Sequence, residues 1–169
     1  MRFFLTGFMG SGKTYWGRRL SERYQIPVID LDTYVEEHEG CSIEDIFLTK
    51  GEEKFRQLET EALKSLCKTH QDLIVSTGGG TPAFHQNMEY MLKQGIVIYL
   101  QAEAEWLAHR MQDEYQHRPL LLQSEPDTRL QIIRDLLKKR IPFYEMAHYQ
   151  FPVSDLNDTI FDPVFKSYV

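Results

Sequence analysis

The residues with the clearest chemical meaning lie near the start of the chain, where Gly7 to Thr14 read G-F-M-G-S-G-K-T. This run matches the G-x-x-x-x-G-K-[ST] spacing of a phosphate-binding loop. Its glycines allow successive backbone N–H groups to point at phosphate oxygens, and the helix that follows adds its positive end. Lys13 would reach the β- and γ-phosphates, and the Thr14 hydroxyl would supply an oxygen ligand to Mg²⁺. The loop therefore predicts binding of a nucleoside triphosphate.

Two carboxylates follow the second apolar run, at Asp30 and Asp32 of D-L-D. If the strand continues, its period of two places both on one side, close to the phosphate loop. One could then assist Mg²⁺ and the other could meet a substrate hydroxyl. On spacing alone, an equally good alternative is that Asp32 caps a helix that starts at Thr33.

Three consecutive glycines, Gly78 to Gly80, come directly after the apolar run that ends at Val75-Ser76-Thr77. Such a run exposes bare backbone where another molecule can approach closely. The alternative is a tight turn from a strand into a helix, since Thr81-Pro82 is a typical helix start.

Several arginines are candidates for binding anions. Arg56 falls on a strongly charged helix, where a solvated or ion-paired side chain is the ordinary expectation. Arg110, Arg118 and Arg140 are each ambiguous alone. Together these arginines supply the guanidinium groups that an acidic protein needs around a phosphoryl group and an acidic substrate.

Composition narrows the class of protein. The 169 residues carry a formal net charge of −6 with 42% hydrophobic residues, which is typical of one folded domain over residues 1–169. The negative charge argues against a nucleic-acid partner, and no span approaches transmembrane length. Cys41 and Cys67 form no C-x-x-C pair, and the six histidines show no zinc-site spacing. We therefore expect a cytoplasmic protein without a membrane partner, and a monomer, since nothing demands a second chain.

Apolar, β-rich runs alternate with helix-compatible stretches along the chain. The runs are Phe3 to Thr6, Val28 to Ile29, Leu73 to Val75, Ile96 to Leu100 and Phe151 to Val153, and the helical stretches include Lys13 to Tyr24, Glu52 to Lys68 and Ala104 to Met111. This alternation predicts an α/β fold with a mostly parallel sheet that is covered on both faces.

Other stretches predict local features around this framework. Asp32 to Lys50 is an acidic, helical insertion between strands two and three, and Gln112 to Pro126 is polar and resembles a mobile lid. Thr128 to Lys139 has helical spacing, and the cations at 138–140 predict a helix end before Pro142. In the tail, Asp162-Pro163 is expected to interrupt a short helix.

Six blocks occur in order between Gly7 and Ala147: G-F-M-G-S-G-K-T, D-x-D, G-E-E-x-F-R, T-G-G-G, R-P-L-L and R-x-P-x-Y-x-x-x-A. In this combination the chain resembles the shikimate kinase family. The resemblance implies a P-loop NTPase-type three-layer sandwich with a mostly parallel five-stranded sheet, as in nucleoside monophosphate kinases. It also implies transfer of the γ-phosphoryl group of ATP to the 3-hydroxyl of shikimate, with Mg²⁺, in aromatic amino-acid synthesis.

The resemblance also implies roles for individual residues. Asp32 would hold the substrate hydroxyl as the candidate base and act in catalysis with Lys13 and Arg118, the last being a lid arginine that closes over the phosphates. About residues 32–62 would form a substrate-binding subregion. The residues that bind shikimate would be Asp32 and Arg56 in this subregion, and Gly78, Gly79, Gly80 and Arg140 outside it. ATP would contact Gly10, Ser11, Gly12, Lys13, Thr14, Tyr15, Arg110 and Arg118, with Arg110 along adenine. Mg²⁺ would be held by Thr14 and Asp30, with Ser76 near its water shell.

Two departures and two rival functions remain at this point. Tyr15-Trp16 stands where relatives usually carry a smaller residue before the glycine, and the tail from Asp155 to Val169 matches poorly, which leaves adenine contacts there open. A kinase for another small molecule or nucleoside could use the same scaffold. A noncatalytic nucleotide-dependent switch could keep the loop without turnover, although Asp32 and Arg118 weigh against it.

Overall fold

The central strand β1 (Arg2–Thr6) is apolar because helices cover it on both sides. Phe3, Phe4 and Leu5 are fully buried, and they alternate between the two faces of the sheet, as the period of a strand requires. Phe4 packs with helical residues on one face, whereas Phe3 and Leu5 pack on the other. The molecule therefore has three layers, with the sheet in the middle.

The structure is a computed structural model that describes residues 1–111 and 126–167. Its strands are β1, β2 (Val28–Asp30), β3 (Leu73–Ser76), β4 (Ile96–Gln101) and β5 (Tyr149–Pro152). They form one parallel sheet in the order β2-β3-β1-β4-β5. This arrangement confirms the expected α/β class with a five-stranded parallel sheet.

Helices connect the strands and build the outer layers. They are α1 (Lys13–Tyr24), α2 (Leu31–Glu39), α3 (Ile43–Thr69), α4 (Asn87–Gln94), α5 (Ala104–Arg110), α6 (Pro126–Tyr144) and α7 (Asp162–Phe165), with short 3₁₀ turns at Thr81–Ala83 and Val153–Asp155. Helices α2, α3 and α4 cover one face of the sheet, and α1 and α7 cover the other. Within the described ranges, no helix combines the length and apolar character needed to cross a membrane.

Helix α3 is two helical segments joined at Gly51, which has φ 81° and ψ 167°. A capping box at its start pairs the Ser42 hydroxyl with the backbone N–H of Asp45, and the Asp45 carboxylate with the backbone N–H of Ser42. The predicted insertion from Asp32 to Lys50 thus forms α2 and the first segment of α3. These elements lie between β2 and β3 in the chain.

Two predictions about helix ends are wrong. Helix α6 does not end before Pro142 but continues through it to Tyr144. Leu137, Arg140 and Tyr144 share one buried face of the helix, and their burial keeps the last turn in place. In the tail, Pro163 does not interrupt a helix; it lies in the first turn of α7, where a missing N–H costs nothing.

Candidate functional site

The phosphate loop connects β1 to α1 in a conformation that glycine makes possible. Gly7 has φ 140° and Gly12 has φ 93°, both in the region that side chains disfavour. A Cβ on Gly7 would lie 2.6 Å from the backbone oxygen of Leu100, so β4 packs directly against the loop. Gly7 is therefore required for the loop to pack this closely against β4.

Lys13 is buried, and its ammonium group lies inside the curve of the loop. Its Nζ donates hydrogen bonds to the backbone oxygens of Gly7 at 2.9 Å and Phe8 at 2.8 Å. A triphosphate there would offer charged oxygens to the same donor, and such hydrogen bonds are stronger than those to carbonyls.

A cleft of about 240 Å³ lies over the loop and collects most of the residues predicted to bind ATP. Its lining comprises Met9, Gly10, Gly12, Lys13, Thr14, Tyr15, Asp30, Asp32, Thr77, Gly79 and Arg110. We call it the phosphate cleft. A second groove continues from it and is lined by Ser11, Gly12, Tyr15, Trp16, Trp106, Arg110, Val153 and Leu156.

The groove beyond the phosphate cleft has aromatic walls. The guanidinium of Arg110 lies over the Trp106 ring, 5.2 Å from its centroid, and Trp16 and Leu156 contribute apolar surface. Neither Trp16 nor Trp106 is among the predicted site residues. The position of Trp16 directly after the phosphate loop is the sequence signal that could have indicated a contact with the nucleotide. Arg118 lies outside the described residues, as does the predicted lid at 112–126 except for its last residue.

Thr14 and Asp30 form an oxygen-only pair suited to a hard cation. The Thr14 hydroxyl donates to Asp30 Oδ2 at 2.7 Å, and Ser76 Oγ lies 3.5 Å from the Thr14 hydroxyl oxygen. Mg²⁺ prefers oxygen ligands and keeps several waters, so it needs only one or two protein groups beside phosphate oxygens. Within residues 1–111 and 126–167, no group of three or more His, Cys, Asp or Glu could hold a metal. The donor set therefore fits Mg²⁺ bound together with a nucleotide.

The cap of α2 is Asp30, and the alternative that Asp32 caps a helix starting at Thr33 is wrong. Asp30 Oδ1 accepts from the backbone N–H groups of Asp32 at 3.1 Å and Thr33 at 3.4 Å, and the helix begins at Leu31. One carboxylate thus meets both the helix end and Thr14. Asp32 lines the phosphate cleft instead.

A larger cleft of about 300 Å³ adjoins the first and holds the residues predicted to bind the acidic substrate. Its lining includes Asp32, Arg56, Gly78, Gly79, Gly80 and Arg140, together with Met9, Phe47, Phe55 and Glu59. We call it the acceptor cleft. Met9, Asp32 and Gly79 line both clefts and mark the boundary between them.

Arg56 is ion-paired, and it is buried rather than solvated. Its side chain is 4% exposed, and Nη1 donates to Glu59 Oε2 at 2.6 Å while Nη2 donates to Glu52 Oε1 at 3.1 Å. The guanidinium also lies over the Phe84 ring, 4.4 Å from its centroid. Glu59 is not among the predicted site residues, although its i,i+3 spacing from Arg56 is a recognised signal of a helical ion pair.

The glycine run forms a turn, and its missing side chains also allow Arg56 and Glu59 to approach the backbone closely. The turn is closed by a hydrogen bond from Thr81 N–H to the Gly78 oxygen at 3.2 Å. A Cβ on Gly80 would lie 2.6 Å from Arg56 Nη1, and one on Gly78 would lie 2.6 Å from a Glu59 carboxylate oxygen. No larger residue fits at either position without moving the buried ion pair.

Arg140 brings a second buried guanidinium to the acceptor cleft. The residue is 5% exposed, and Nη1 has no hydrogen-bond partner among the residues that the structure describes. This atom lies 3.5 Å from the position that a Cβ on Gly79 would occupy, and the guanidinium lies 5.3 Å from the Phe8 centroid. A buried cationic donor without a partner is costly, and an anionic ligand would satisfy it.

Comparisons with known proteins point to one family. The family model for shikimate kinase matches residues 9–168. The chain is 40% identical to the shikimate kinase of Bacteroides fragilis over 94% of this chain and 88% of the relative. It is 38% identical to that of Bacteroides thetaiotaomicron over 94% of this chain and 90% of the relative.

Solved structures show the same likeness. A crystal structure of the shikimate kinase from Bacteroides thetaiotaomicron has a TM-score of 0.87 and 35% identity, covering 99% of this chain and 95% of that one. The shikimate kinase from Acinetobacter baumannii in complex with shikimate has a TM-score of 0.88 and 35% identity, covering 99% and 94%. A gluconokinase from Sinorhizobium meliloti, with a TM-score of 0.53 and 16% identity, shares the fold alone.

Proposed function

Because the chain belongs to the shikimate kinase family, we infer that it transfers the γ-phosphoryl group of ATP to the 3-hydroxyl of shikimate. The products are shikimate 3-phosphate and ADP, in the synthesis of aromatic compounds. One observation of the structure carries this function furthest. Two buried guanidiniums, Arg56 and Arg140, face a cleft that joins the phosphate cleft at Asp32 and Gly79.

The acceptor cleft is suited to a small carboxylic acid. We propose that the shikimate carboxylate binds to Arg56 and Arg140 and to backbone N–H groups of Gly78 to Gly80. Glu59 and Glu52 already accept hydrogen bonds from Arg56, whereas Nη1 of Arg140 has no hydrogen-bond partner in the described parts of the chain, so we expect Arg140 to be the more available donor to the carboxylate. Guanidiniums also fix the orientation of a carboxylate, because they present paired donors in a plane.

The phosphate cleft would hold ATP with its γ-phosphoryl group toward the boundary with the acceptor cleft. Lys13 and the N–H groups of the loop, from Gly10 to Thr14, would bind the β- and γ-phosphates. We propose that Arg110 and Tyr15 border the adenosine part, and that Arg118 closes over the phosphates. Trp16 and Trp106 would add apolar surface in the groove beyond.

Asp32 is placed to act on the hydroxyl that attacks. It lines both clefts, so its carboxylate can accept a hydrogen bond from a shikimate hydroxyl and aim its oxygen at the γ-phosphorus. In phosphoryl transfer, positioning and neutralisation of charge supply most of the catalysis. We propose that Asp32 orients the hydroxyl and receives its proton.

Mg²⁺ would be held by Thr14, with Asp30 beside it, and it would neutralise negative charge on the phosphate oxygens. Ser76, close to Thr14, would bind a water of its shell. We also propose that the enzyme acts as a monomer in the cytoplasm, without nucleic-acid or membrane partners, since both clefts are assembled from one chain.

Steady-state ADP release tests this function. ATP and Mg²⁺ are supplied with shikimate, gluconate, a nucleoside or no acceptor. We expect shikimate alone to stimulate release strongly. Stimulation by another acceptor would contradict the assignment of shikimate as the substrate, but not the assignment of the phosphate cleft to ATP. If no acceptor stimulates release, a nucleotide-binding module is favoured.

A pair of variants on one helix tests the carboxylate site. Arg140→Met removes the buried guanidinium, and Lys139→Met removes an exposed cation from the next position of α6. We expect the first to raise the KM for shikimate about 10- to 100-fold, because a charged hydrogen bond is lost. The second should leave this KM unchanged; equal effects of both would remove Arg140 from the site.

A further inference from the structure

Tyr144, a fully buried phenol, contacts the glycine run. Its hydroxyl donates a hydrogen bond to the backbone oxygen of Gly79, although none of the residue is exposed. Tyr144 lies four residues after Arg140 on α6, so both side chains share one face of the helix. One turn of α6 therefore carries a cation of the acceptor cleft and a donor to the loop that borders this cleft.

The Gly79 oxygen that accepts this hydrogen bond belongs to the same peptide group as the Gly80 N–H. The described residues contain no cis peptide bond, and in a trans peptide the N–H points away from the carbonyl oxygen. A hydrogen bond that holds the Gly79 oxygen thus also holds the direction of the Gly80 N–H. The Gly80 backbone lies against Arg56, since a Cβ there would be 2.6 Å from Nη1. The peptide that Tyr144 holds therefore leads directly to a residue, Gly80, whose Cα lies beside a guanidinium of the acceptor cleft.

The phenol is a permanent donor. Burial raises the pKa of Tyr144 well above its ordinary value, and the guanidinium of Arg140 only partly opposes this shift. The hydroxyl thus keeps its proton across the working pH range. Tyr99, whose ring centroid lies 5.0 Å away, packs against the Tyr144 ring and fixes its plane.

We propose that Tyr144 is a positioning residue for the acceptor substrate, which orients the Gly79–Gly80 peptide so that its N–H binds the shikimate carboxylate beside Arg56. The proposal rests on the proposed function, and in particular on the glycine run binding shikimate. Tyr144 is buried and does not touch the substrate itself. Its loss would weaken binding of shikimate and leave the nucleotide side intact.

The test compares Tyr144→Phe with Tyr99→Phe. Both remove one buried hydroxyl from the same ring pair, so general effects of the lost oxygen are matched. We expect Tyr144→Phe to raise the KM for shikimate about tenfold, because the Gly80 N–H remains but its direction is no longer held by the hydrogen bond to Gly79. The KM for ATP should change by less than about twofold. Tyr99→Phe should leave both KM values at those of the unaltered enzyme.

The possible outcomes separate this inference from the proposed function. If the unaltered enzyme phosphorylates shikimate and Tyr144→Phe has the same KM for shikimate, or raises both KM values together, Tyr144 has no positioning role and the function stands. If shikimate does not stimulate the unaltered enzyme, the function fails and the inference fails with it. Thermal unfolding of both variants shows whether either loses its fold.

A second measurement needs no variant. A crystal structure of the unaltered enzyme with shikimate should show the Gly80 N–H donating to the shikimate carboxylate while the Tyr144 hydroxyl still donates to Gly79. A Gly80 N–H that points away from the ligand would overturn the inference even if Tyr144→Phe failed to fold.

Discussion

At the scale of single residues, the acceptor cleft is made from charges that are expensive to bury. Arg56 and Glu59 have side chains 4% and 1% exposed and pair at 2.6 Å. A buried ion pair adds little net stability compared with apolar residues, whereas a buried charge that has lost its partner is strongly destabilising. Glu59 also accepts from the Thr81 hydroxyl at 2.5 Å, which links the pair to the glycine run. Stability alone therefore does not account for the pair, whereas the role in substrate binding that we propose for Arg56 does.

Breaking this pair on one side should cost more than removing it entirely. We expect Arg56→Met to lower the free energy of unfolding by about 3–5 kcal/mol, because Glu59 is left buried without its cation. Adding Glu59→Gln should recover part of this loss. Urea unfolding of the single and double variants measures the difference; equal stabilities would mean that Glu59 carries no buried charge.

Asp32 should matter for turnover and little for nucleotide binding. We expect Asp32→Asn to lower kcat about 10²- to 10⁴-fold, the usual contribution of a positioned proton acceptor. The KM for ATP should stay nearly unchanged, because we assign binding of the phosphates to Lys13 and the loop. Asp135→Asn, at an exposed position of α6 that lines neither cleft, serves as a control for the change of charge. Full activity of Asp32→Asn would remove Asp32 from the mechanism.

At the scale of elements, short junctions decide where the site residues lie. Helix α3 changes direction at Gly51, so its first segment can border the acceptor cleft while its second segment carries Arg56. Helix α7 is held to α1 by Asp162, which accepts hydrogen bonds from Arg23 and Tyr24. Asp158 similarly pairs with Arg19, next to the groove lined by Trp16.

The Gly51 junction should not tolerate a side chain, even though there is space for one. Nothing lies within 4 Å of a Cβ built there, but φ 81° with ψ 167° belongs to a region that essentially only glycine adopts. We expect Gly51→Asn to destabilise by about 1–3 kcal/mol. Gly40→Asn, at a left-handed helix end that Asn accepts, should cost less than about 1 kcal/mol. Denaturant unfolding that shows equal costs would contradict this reading.

The attachment of α7 should depend on pH in a defined direction. Hydrogen bonds from Tyr24, Lys166 and Arg23 hold the pKa of Asp162 well below its ordinary value. A lowered folded-state pKa stabilises the protein above the unfolded value of about 3.9, and this contribution is lost as the pH falls toward the folded pKa.

Melting temperatures of the unaltered enzyme and Asp162→Asn should therefore differ by a constant amount between about pH 5 and 8 and converge below about pH 4. Asp155→Asn, which removes a carboxylate from the same tail, is the matched control. A difference that grew on acidification would show that the sign of the shift is wrong.

Local patterns predicted some elements well and others poorly, for physical reasons. Helix α1 was predicted with its observed bounds, because a phosphate loop defines its start and helix-forming residues continue to Tyr24. The cap of α2 could not be assigned, since Asp30 and Asp32 are equally good caps and the end of β2 depends on pairing with β3. The end of α6 was misplaced because Pro142 is a local breaker, whereas the burial of Tyr144 is a tertiary effect.

At the scale of the whole molecule, the strand order places the two clefts side by side. The carboxyl ends of β1, β2 and β3 are neighbours in the sheet. The phosphate loop follows β1, Asp30 is the last residue of β2, and the glycine run follows β3. In parallel sheets, ligands bind outside this edge, where neighbouring strands lead to different sides. Sequence motifs predicted Asp32, the arginines and the glycines that line the clefts. They did not predict Glu59, Phe47 or Phe55, or the strand order that joins the clefts at Asp32 and Gly79.

The central claim is that this edge transfers phosphate from ATP to one hydroxyl of shikimate. The most direct measurement is phosphorus and proton NMR of the product formed from ATP, Mg²⁺ and shikimate. We expect a single phosphate ester on the 3-oxygen, formed in equal amount with ADP. A product phosphorylated at another oxygen, or ADP formed with free phosphate and unaltered shikimate, would contradict the claim.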